Sequence, residues 1–297
     1  MAEHTQQGDL VDGMLERLYT GSVWAEGPVW IPSSGTVRWS DIPNNRILEF
    51  DAATAAAREY ATGVEYTNGR VLDHDGSVVQ CSHGRRRVER DREGTVTPVV
   101  DSFEGHRLNS PNDVVVKSDG SVWFTDPTFG ILGYYEGEKD APQLQPAVYR
   151  IDGQTGEASV ATNEVEGPNG LAFSPDESKL YVVASRAQPH RLIMVYDVVG
   201  GAKLENGRVF IDAGPGGSPD GFRVDIHGNL WCGWGTGSDE LDGVRIFNPS
   251  GRPIGHISLP ERSANVCFGG RWRNRLFMAA SHSLYALYVN TQGAAGG

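Results

Sequence analysis

The sequence predicts an all-β fold: a six-bladed β-propeller closed by an N-terminal strand that completes the last blade. Three observations predict it. Glycine is in excess, at 38 of 297 residues, or about 13% against a usual ~7%. The chain is otherwise globular in composition and has no Gly-X-Y period, so the excess signals many turns between short strands. An alternating strand ending in Asp or Asn recurs six times, and a polar residue recurs ahead of it in a shared register.

The elements follow a repeat of about 40–50 residues. The alternating strand occupies 46–51, 87–91, 148–152, 193–197, 244–248 and 284–290, and its terminal Asp or Asn starts a turn through the side-chain oxygen. A more apolar strand precedes each copy, at 36–39, 77–81, 121–124, 179–183, 229–232 and 275–278. Gly35, Gly76, Gly120 and Gly228 stand just ahead of four of these, so each pair reads as a hairpin. Further upstream stand Glu26, Asn68, Asn112, Asn169, Asp220 and Asn265, spaced by 42, 44, 57, 51 and 45 residues. Each heads another short strand. From Asn68 to Gly76, Asn112 to Gly120 and Asp220 to Gly228 the offset is 8 each time, a register that independent turns would rarely keep. A fourth strand follows the hairpin, as at 58–61, 98–100 and 209–211. The sixth blade runs out of chain after Asn290, and residues 15–19 supply its outer strand, which removes an exposed edge. The expectation is one propeller domain over 1–297, frayed at about 1–13 and 291–297. A many-stranded β-sandwich would not explain six copies in register.

The innermost strand of each blade lines the central channel. The six polar residues therefore form a ring of two carboxylates and four amides. All six can present oxygen and none presents sulfur or imidazole, an inventory that suits a hard divalent cation, calcium first. Asn and Asp also start turns with no ligand involved, but Glu26 is a poor turn residue and the register is common to all six.

Charge and cysteine usage narrow the function. Lys and Arg number 26 against 38 Asp and Glu, a net charge of −12. That excess excludes nucleic acid and anionic membrane as main partners. No apolar run approaches the ~20 residues of a membrane span. The run Gly84-Arg85-Arg86-Arg87 lies beside Glu89, Asp91 and Glu93 and reads as a salt-bridged strand pair. Cys81, Cys232 and Cys267 are odd in number without a CxxC motif, so buried free thiols are expected. The polar start, Met1 to Asp9, has neither a basic nor an apolar leader region. These features predict a cytoplasmic location.

Five segments in order are similar to the senescence marker protein/gluconolactonase/luciferin-regenerating enzyme family. They are Trp24-Ala25-Glu26-Gly27-Pro28-Val29-Trp30, Ser110-Pro111-Asn112-Asp113, Gly167-Pro168-Asn169-Gly170-Leu171, Ser218-Pro219-Asp220-Gly221 and Phe268-Gly269-Gly270. Ser40-Asp41-Ile42-Pro43-Asn44 and Cys81-Ser82-His83-Gly84 resemble the bacterial gluconolactonase branch. The resemblance implies a metal-dependent lactonase acting on a small-molecule lactone, with one divalent cation in the channel (calcium first; zinc, manganese and magnesium are alternatives). It puts the metal ligands on Glu26, Asn112, Asn169 and Asp220, and the general base or nucleophile on Asp220. Asn68 and Asn265 become supporting residues. Animal lactonases of the family carry a sugar-binding Arg two residues before the Asn matched by Asn112, where this chain has Ser110. A phosphotriesterase of the diisopropyl-fluorophosphatase type and a non-catalytic interaction propeller are the alternatives.

Substrate contacts are expected from His83 and Asp126, which end the second strands of blades two and three, and from Arg107 and Asn109, just upstream of Asn112. Arg107 is placed to take the role of the missing Arg. The long loop from Thr128 to Ala147, with Phe129, Tyr134, Tyr135, Glu136, Glu138 and Asp140, is expected to cover part of the pocket. The Gly/Pro-rich segment 213–219 leads into Asp220 and is expected to shape its surroundings. Glycine follows four ring residues, in Glu26-Gly27, Asn68-Gly69, Asn169-Gly170 and Asp220-Gly221, where a side chain is expected to crowd the metal or its substrate.

Overall fold

The repeat closes on itself. In the computed structural model, which describes residues 10–295, the chain forms six four-stranded antiparallel sheets. The innermost strands are Ala25–Ile31, Thr67–Leu72, Val114–Val116, Pro168–Phe173, Pro219–Val224 and Ser263–Gly269. Each packs against the next, and the sixth packs against the first, so they enclose a channel. The outer strand of the last blade is Glu16–Thr20, which pairs antiparallel with Ser283–Tyr288, Glu16 opposite Ala286 and Thr20 opposite Ser283. This is the expected closure. It covers the edge that the last hairpin would otherwise expose.

The offset of 8 residues has a common cause in three blades. Gly76, Gly120 and Gly228 adopt φ of +82°, +81° and +80°. Each donates its N–H to the carbonyl three residues earlier, on Asp73, Lys117 and Asp225, at 2.9 Å. One turn type, with glycine at its left-handed position, joins the first and second strands and fixes their register.

Apolar residues alternating toward each blade's neighbours fill the spaces between sheets. Trp39, Phe50, Phe277 and Leu284 join blades six and one, and Val88, Val114, Phe124 and Tyr149 join two and three. Between blades one and two only Val29, Ile31 and Val78 form a buried aliphatic cluster. Polar contacts supplement it: Arg38 lies 3.6 Å from the Tyr60 ring centroid, Tyr60 donates to Asp91 at 3.0 Å, and Arg70 donates to Ser40 Oγ at 2.6 Å. Cys81, Cys232 and Cys267 are buried free thiols, as expected.

The termini differ from expectation. Residues 1–9 and 296–297 lie outside the described residues, but residues 10–13 and 291–295 are docked rather than frayed. Leu10 and Val11 pack on the last blade's core, and Val11 bridges Val289. Ile226 N–H donates to the Gln292 carbonyl and Ala294 N–H to the Val224 carbonyl, both at 2.9 Å. Thr291 and Ala294 are buried. This short ladder satisfies backbone groups that would otherwise be stripped of water without partners.

The arginine run is internally neutralised. Arg85 and Arg87 hold Glu89 at 3.3 and 2.8 Å, and Arg86 holds Asp140. No helix among the described residues is long and apolar enough to cross a membrane.

Candidate functional site

The six ring residues stand at the start of the innermost strands, and a recurring irregularity aims them. In five blades the register slips there: between Glu26 and Val29, Thr67 and Arg70, Pro168 and Leu171, Pro219 and Phe222, and Ser263 and Asn265. Such bulges turn a side chain out of the alternating pattern, here toward the channel. In blade three Asn112 precedes the short strand and is held by its N–H donating to Thr125 O at 2.9 Å.

The glycines beside the ring serve a different purpose from the one expected. A Cβ on Gly27, whose φ is +52°, would overlap the backbone carbonyl of Asn68 in the next blade. A Cβ on Gly170 would overlap the Asp220 carbonyl. The bulged strands converge so closely that backbone meets backbone. The glycines therefore permit the ring to close rather than leave room for a bound ligand.

A cavity of ≈ 390 Å³ opens at this end of the channel, lined by Glu26, Asn68, Asn112, Asn169 and Asp220 among others. Asn265 stands behind it: its Nδ2 donates to Glu26 Oε2 at 3.1 Å and its Oδ1 accepts from Val266 N–H at 2.8 Å. Gly27 N–H donates to the same Glu26 oxygen at 2.7 Å. Asp220 accepts from Asn169 Nδ2 at 2.7 Å on Oδ1 and from Arg262 Nη2 at 2.6 Å on Oδ2. Burial drives the Glu26 carboxyl well above its ordinary range, and the charges of Asp220 and Asp113 push it further. Burial also raises Asp220, against the pull of Arg262.

These residues fit a hard cation. Two buried carboxylates repel one another, and the Asn112 side chain makes no hydrogen bond to the described protein. Asn68 donates through Nδ2, which leaves its buried Oδ1 without a partner. Among the described residues no group of three or more His, Cys, Asp or Glu is placed to share a metal. The donor set is thus two carboxylates supplemented by amide oxygens, hard ligands in a site with few negative charges.

The four residues expected to touch substrate lie elsewhere. His83 is fully buried behind Asn68. It donates from Nδ1 to the Glu136 carbonyl at 2.8 Å, so its Nε2 is the acceptor for Asn68 Nδ2 at 3.2 Å. Burial lowers its pKa and favours this neutral form. Asp126 is also buried and accepts from the N–H groups of Asn109 and Ser110, both at 2.8 Å. The Asn109 amide donates to Leu144 O at 3.1 Å. Arg107 is exposed on the small hairpin formed by Ser102–Phe103 and His106–Arg107 and does not line the cavity. His83, Asn109 and Asp126 thus form a scaffold beneath the loop of residues 127–146. Ser110 Oγ donates to Pro127 O at 2.7 Å and accepts from Gly130 N–H at 3.1 Å. That loop does cover the pocket, with Phe129, Tyr135 and Glu136 in the cavity wall. Ser218 and Pro219, from the Gly/Pro-rich segment, line it too.

Several lining residues were not singled out from sequence: Trp24, Ser185, Arg186, Arg191 and Arg262. Ser185 and Arg186 follow the second strand of blade four, Lys179–Ala184, as His83 follows that of blade two. The same register would have pointed to them. Trp24 and Arg262 each stand immediately before an innermost strand, as Ser218 does, and the Arg262 guanidinium lies 4.8 Å from the Trp24 ring centroid. A second cavity of ≈ 700 Å³ at the far ends of the innermost strands is lined by Val29, Trp30, Val71, Leu72 and Phe268, and no ring residue lines it.

Comparison with known proteins identifies the family to which this fold belongs. Residues 24–282 match the family model described as SMP-30/Gluconolactonase/LRE-like region. The chain is 32% identical to the gluconolactonase of Zymomonas mobilis subsp. mobilis, an alignment covering 94% of this chain and 82% of that protein. It is 26% identical to pentonolactonase XacC of Haloferax volcanii, over 91% of this chain and 82% of that one. The solved structure of XC5397, a gluconolactonase from Xanthomonas campestris, superposes with a TM-score of 0.87 at 34% identity, covering 95% of this chain and 91% of that chain. From the ring, the closed propeller and these matches together, the chain belongs to the SMP-30/gluconolactonase/LRE-like family, whose members include sugar lactonases.

Proposed function

We propose that this chain is a metal-dependent lactonase that hydrolyses a sugar lactone in the cavity above the ring, with Asp220 as its key carboxylate. The observation that carries the proposal is the setting of Asp220, a buried carboxylate hydrogen-bonded on both oxygens that lines, with Glu26, one cavity of ≈ 390 Å³. The gluconolactonase relatives support the substrate class.

Glu26, Asp220 and the amide oxygens of Asn112 and Asn169 would hold the divalent cation, calcium first. When bound, it supplies Lewis-acid stabilisation of the charge that develops on the lactone carbonyl oxygen. The protein's own groups do the rest. Asn169 and Arg262 hold the Asp220 carboxylate in one orientation, and burial raises its basicity toward a proton on water. Asp220 takes that proton as hydroxide adds to the carbonyl, then returns it to the ring oxygen as the C–O bond breaks. Asn265 and Gly27 N–H keep Glu26 turned into the channel. Phe129 and Tyr135 line the cavity from the covering loop and would limit bulk water there.

The test is acid release in a pH-stat from five- and six-membered aldonolactones, with one organophosphate triester as control. Faster release from a lactone than the spontaneous rate, with the triester untouched, is expected. Turnover of the triester alone would replace the lactonase proposal with the phosphotriesterase alternative.

A further inference from the structure

We infer that the preferred lactone carries a negatively charged group on the carbon chain away from the ring carbonyl, held by Arg191 and Arg186. This rests on the lactonase reading above and names its substrate class.

The inference comes from where arginine charge is left unanswered. Elsewhere in the chain Arg38, Arg46, Arg87 and Arg90 each hold a carboxylate within 3.0 Å. Acidic residues outnumber basic ones, 38 to 26, so partners are not scarce. Among the described residues Arg262 is the one cavity arginine in an ion pair, with Asp220 at 2.6 Å. Arg191 is half-buried and donates from Nε to the Ser185 carbonyl at 3.2 Å and from Nη1 to Ser218 Oγ, both neutral acceptors. Arg186 is exposed and makes no ion pair among the described residues, and its guanidinium sits 5.4 Å from the Phe129 ring centroid in the covering loop. The remaining carboxylate of the wall, Glu136, forms no salt bridge with either arginine; its nearest basic contact is His83 Nδ1 at 3.9 Å.

Burial lowers the Arg191 pKa, and repulsion from Arg262 and Arg186 lowers it further, with Asp220 opposing. Three guanidiniums crowd one wall and two lack an anion. Arg191 is half-buried and Arg186 is exposed at the rim beside it, and a half-buried guanidinium without a carboxylate is a ready receptor for an oxyanion. A neutral polyol would leave that charge uncompensated. Arg186 and Arg191 come from the blade-four loops, whereas Glu26 enters from blade one, so the anionic group would lie toward blade four while the lactone carbonyl faces the ring.

The test compares kcat/KM for a neutral six-carbon aldonolactone with its counterparts bearing a C6 carboxylate or a C6 phosphate. Wild-type protein should prefer an anionic lactone by about tenfold or more, the scale of a charge-assisted hydrogen bond. The preference should shrink as salt is raised. Arg186→Gln and Arg191→Gln should each cut the anionic-to-neutral ratio several-fold, with Arg186→Lys retaining part of it. The carboxylate and phosphate arms identify which oxyanion the wall takes. A wild-type ratio of one or below overturns the inference while leaving the lactonase reading intact, as does an equal loss on both substrates in both variants. Turnover of no lactone overturns both.

Discussion

Asn265 donates from Nδ2 to Glu26 Oε2 at 3.1 Å, across 239 residues of chain. This hydrogen bond joins the last blade to the first at the level of the polar ring. Ring closure thus contributes to the site: the sixth blade supplies one of the two donors to Glu26 Oε2, and Gly27 N–H of the first blade supplies the other. Asn265→Leu removes the donor without adding charge. The expected result is a loss of about 10–100-fold in calcium affinity, the usual effect of deleting a residue that orients a ligand. Titration calorimetry checks it, and an unchanged affinity would show that Gly27 N–H alone suffices to hold Glu26.

His83 couples the ring to the covering loop. Its Nδ1 holds the Glu136 carbonyl and its Nε2 takes the Asn68 amide, while a Cβ on Gly130 would overlap the imidazole. His83→Phe leaves the buried Asn68 amide and the half-buried Glu136 carbonyl unpaired, at a cost of about 1–3 kcal/mol. Denaturant unfolding should show that loss. Steady-state kinetics should show KM rising more than kcat falls, because Tyr135 and Glu136 are displaced and Asp220 is not. A pure loss of kcat would instead place His83 in the chemistry.

Asp126 gives stability an unusual pH dependence. Burial pushes its carboxyl up to about 7, against the N–H bonds from Asn109 and Ser110. The unfolded chain releases this proton near ~3.9. Between those values the folded state binds more protons than the unfolded state, so this group's contribution to stability falls as pH rises from about 4 to about 7 and is level above. Urea midpoints for wild type and Asp126→Asn, compared across that window, isolate the effect. The wild-type advantage over the variant should shrink as pH rises. An advantage that grows would mean that the two N–H donors outweigh burial.

Much of this was legible in sequence because a propeller repeats its register. The glycine turn at Gly76, Gly120 and Gly228 and the ring residue eight positions upstream belong to one geometric unit, so each copy reinforced the others. The N-terminal strand was legible because the sixth blade was visibly short. The blade tops were less so. Arg186 and Arg262 do sit at positions the repeat shares, after a second strand and before an innermost one, but the residue type there changes from blade to blade, so no recurring side chain marked them; Arg191 lies further along a connection of blade four alone. His83 and Asp126 were located correctly along their strands but not in depth. Their burial depends on a loop that folds back from more than fifty residues away in the case of His83, tied down by Arg86 and Asp140. The docked tail was missed because its glycines and alanines look like a frayed end, whereas Gly293 packs on Phe268 and Ala294 pairs with Val224.

On the proposed mechanism Asp220 works with a divalent cation in the ring. The most direct measurement is lactone turnover by wild type and Asp220→Asn, each stripped with chelator and then titrated with calcium, with unfolding midpoints recorded alongside. Stripped wild type should lose its activity and recover it with the ion. Asp220→Asn, folded by its midpoint, should stay slower by about a hundredfold or more, the lower range for removing a catalytic acid–base group. Full turnover in stripped wild type, or near-wild-type turnover in Asp220→Asn, would contradict that mechanism.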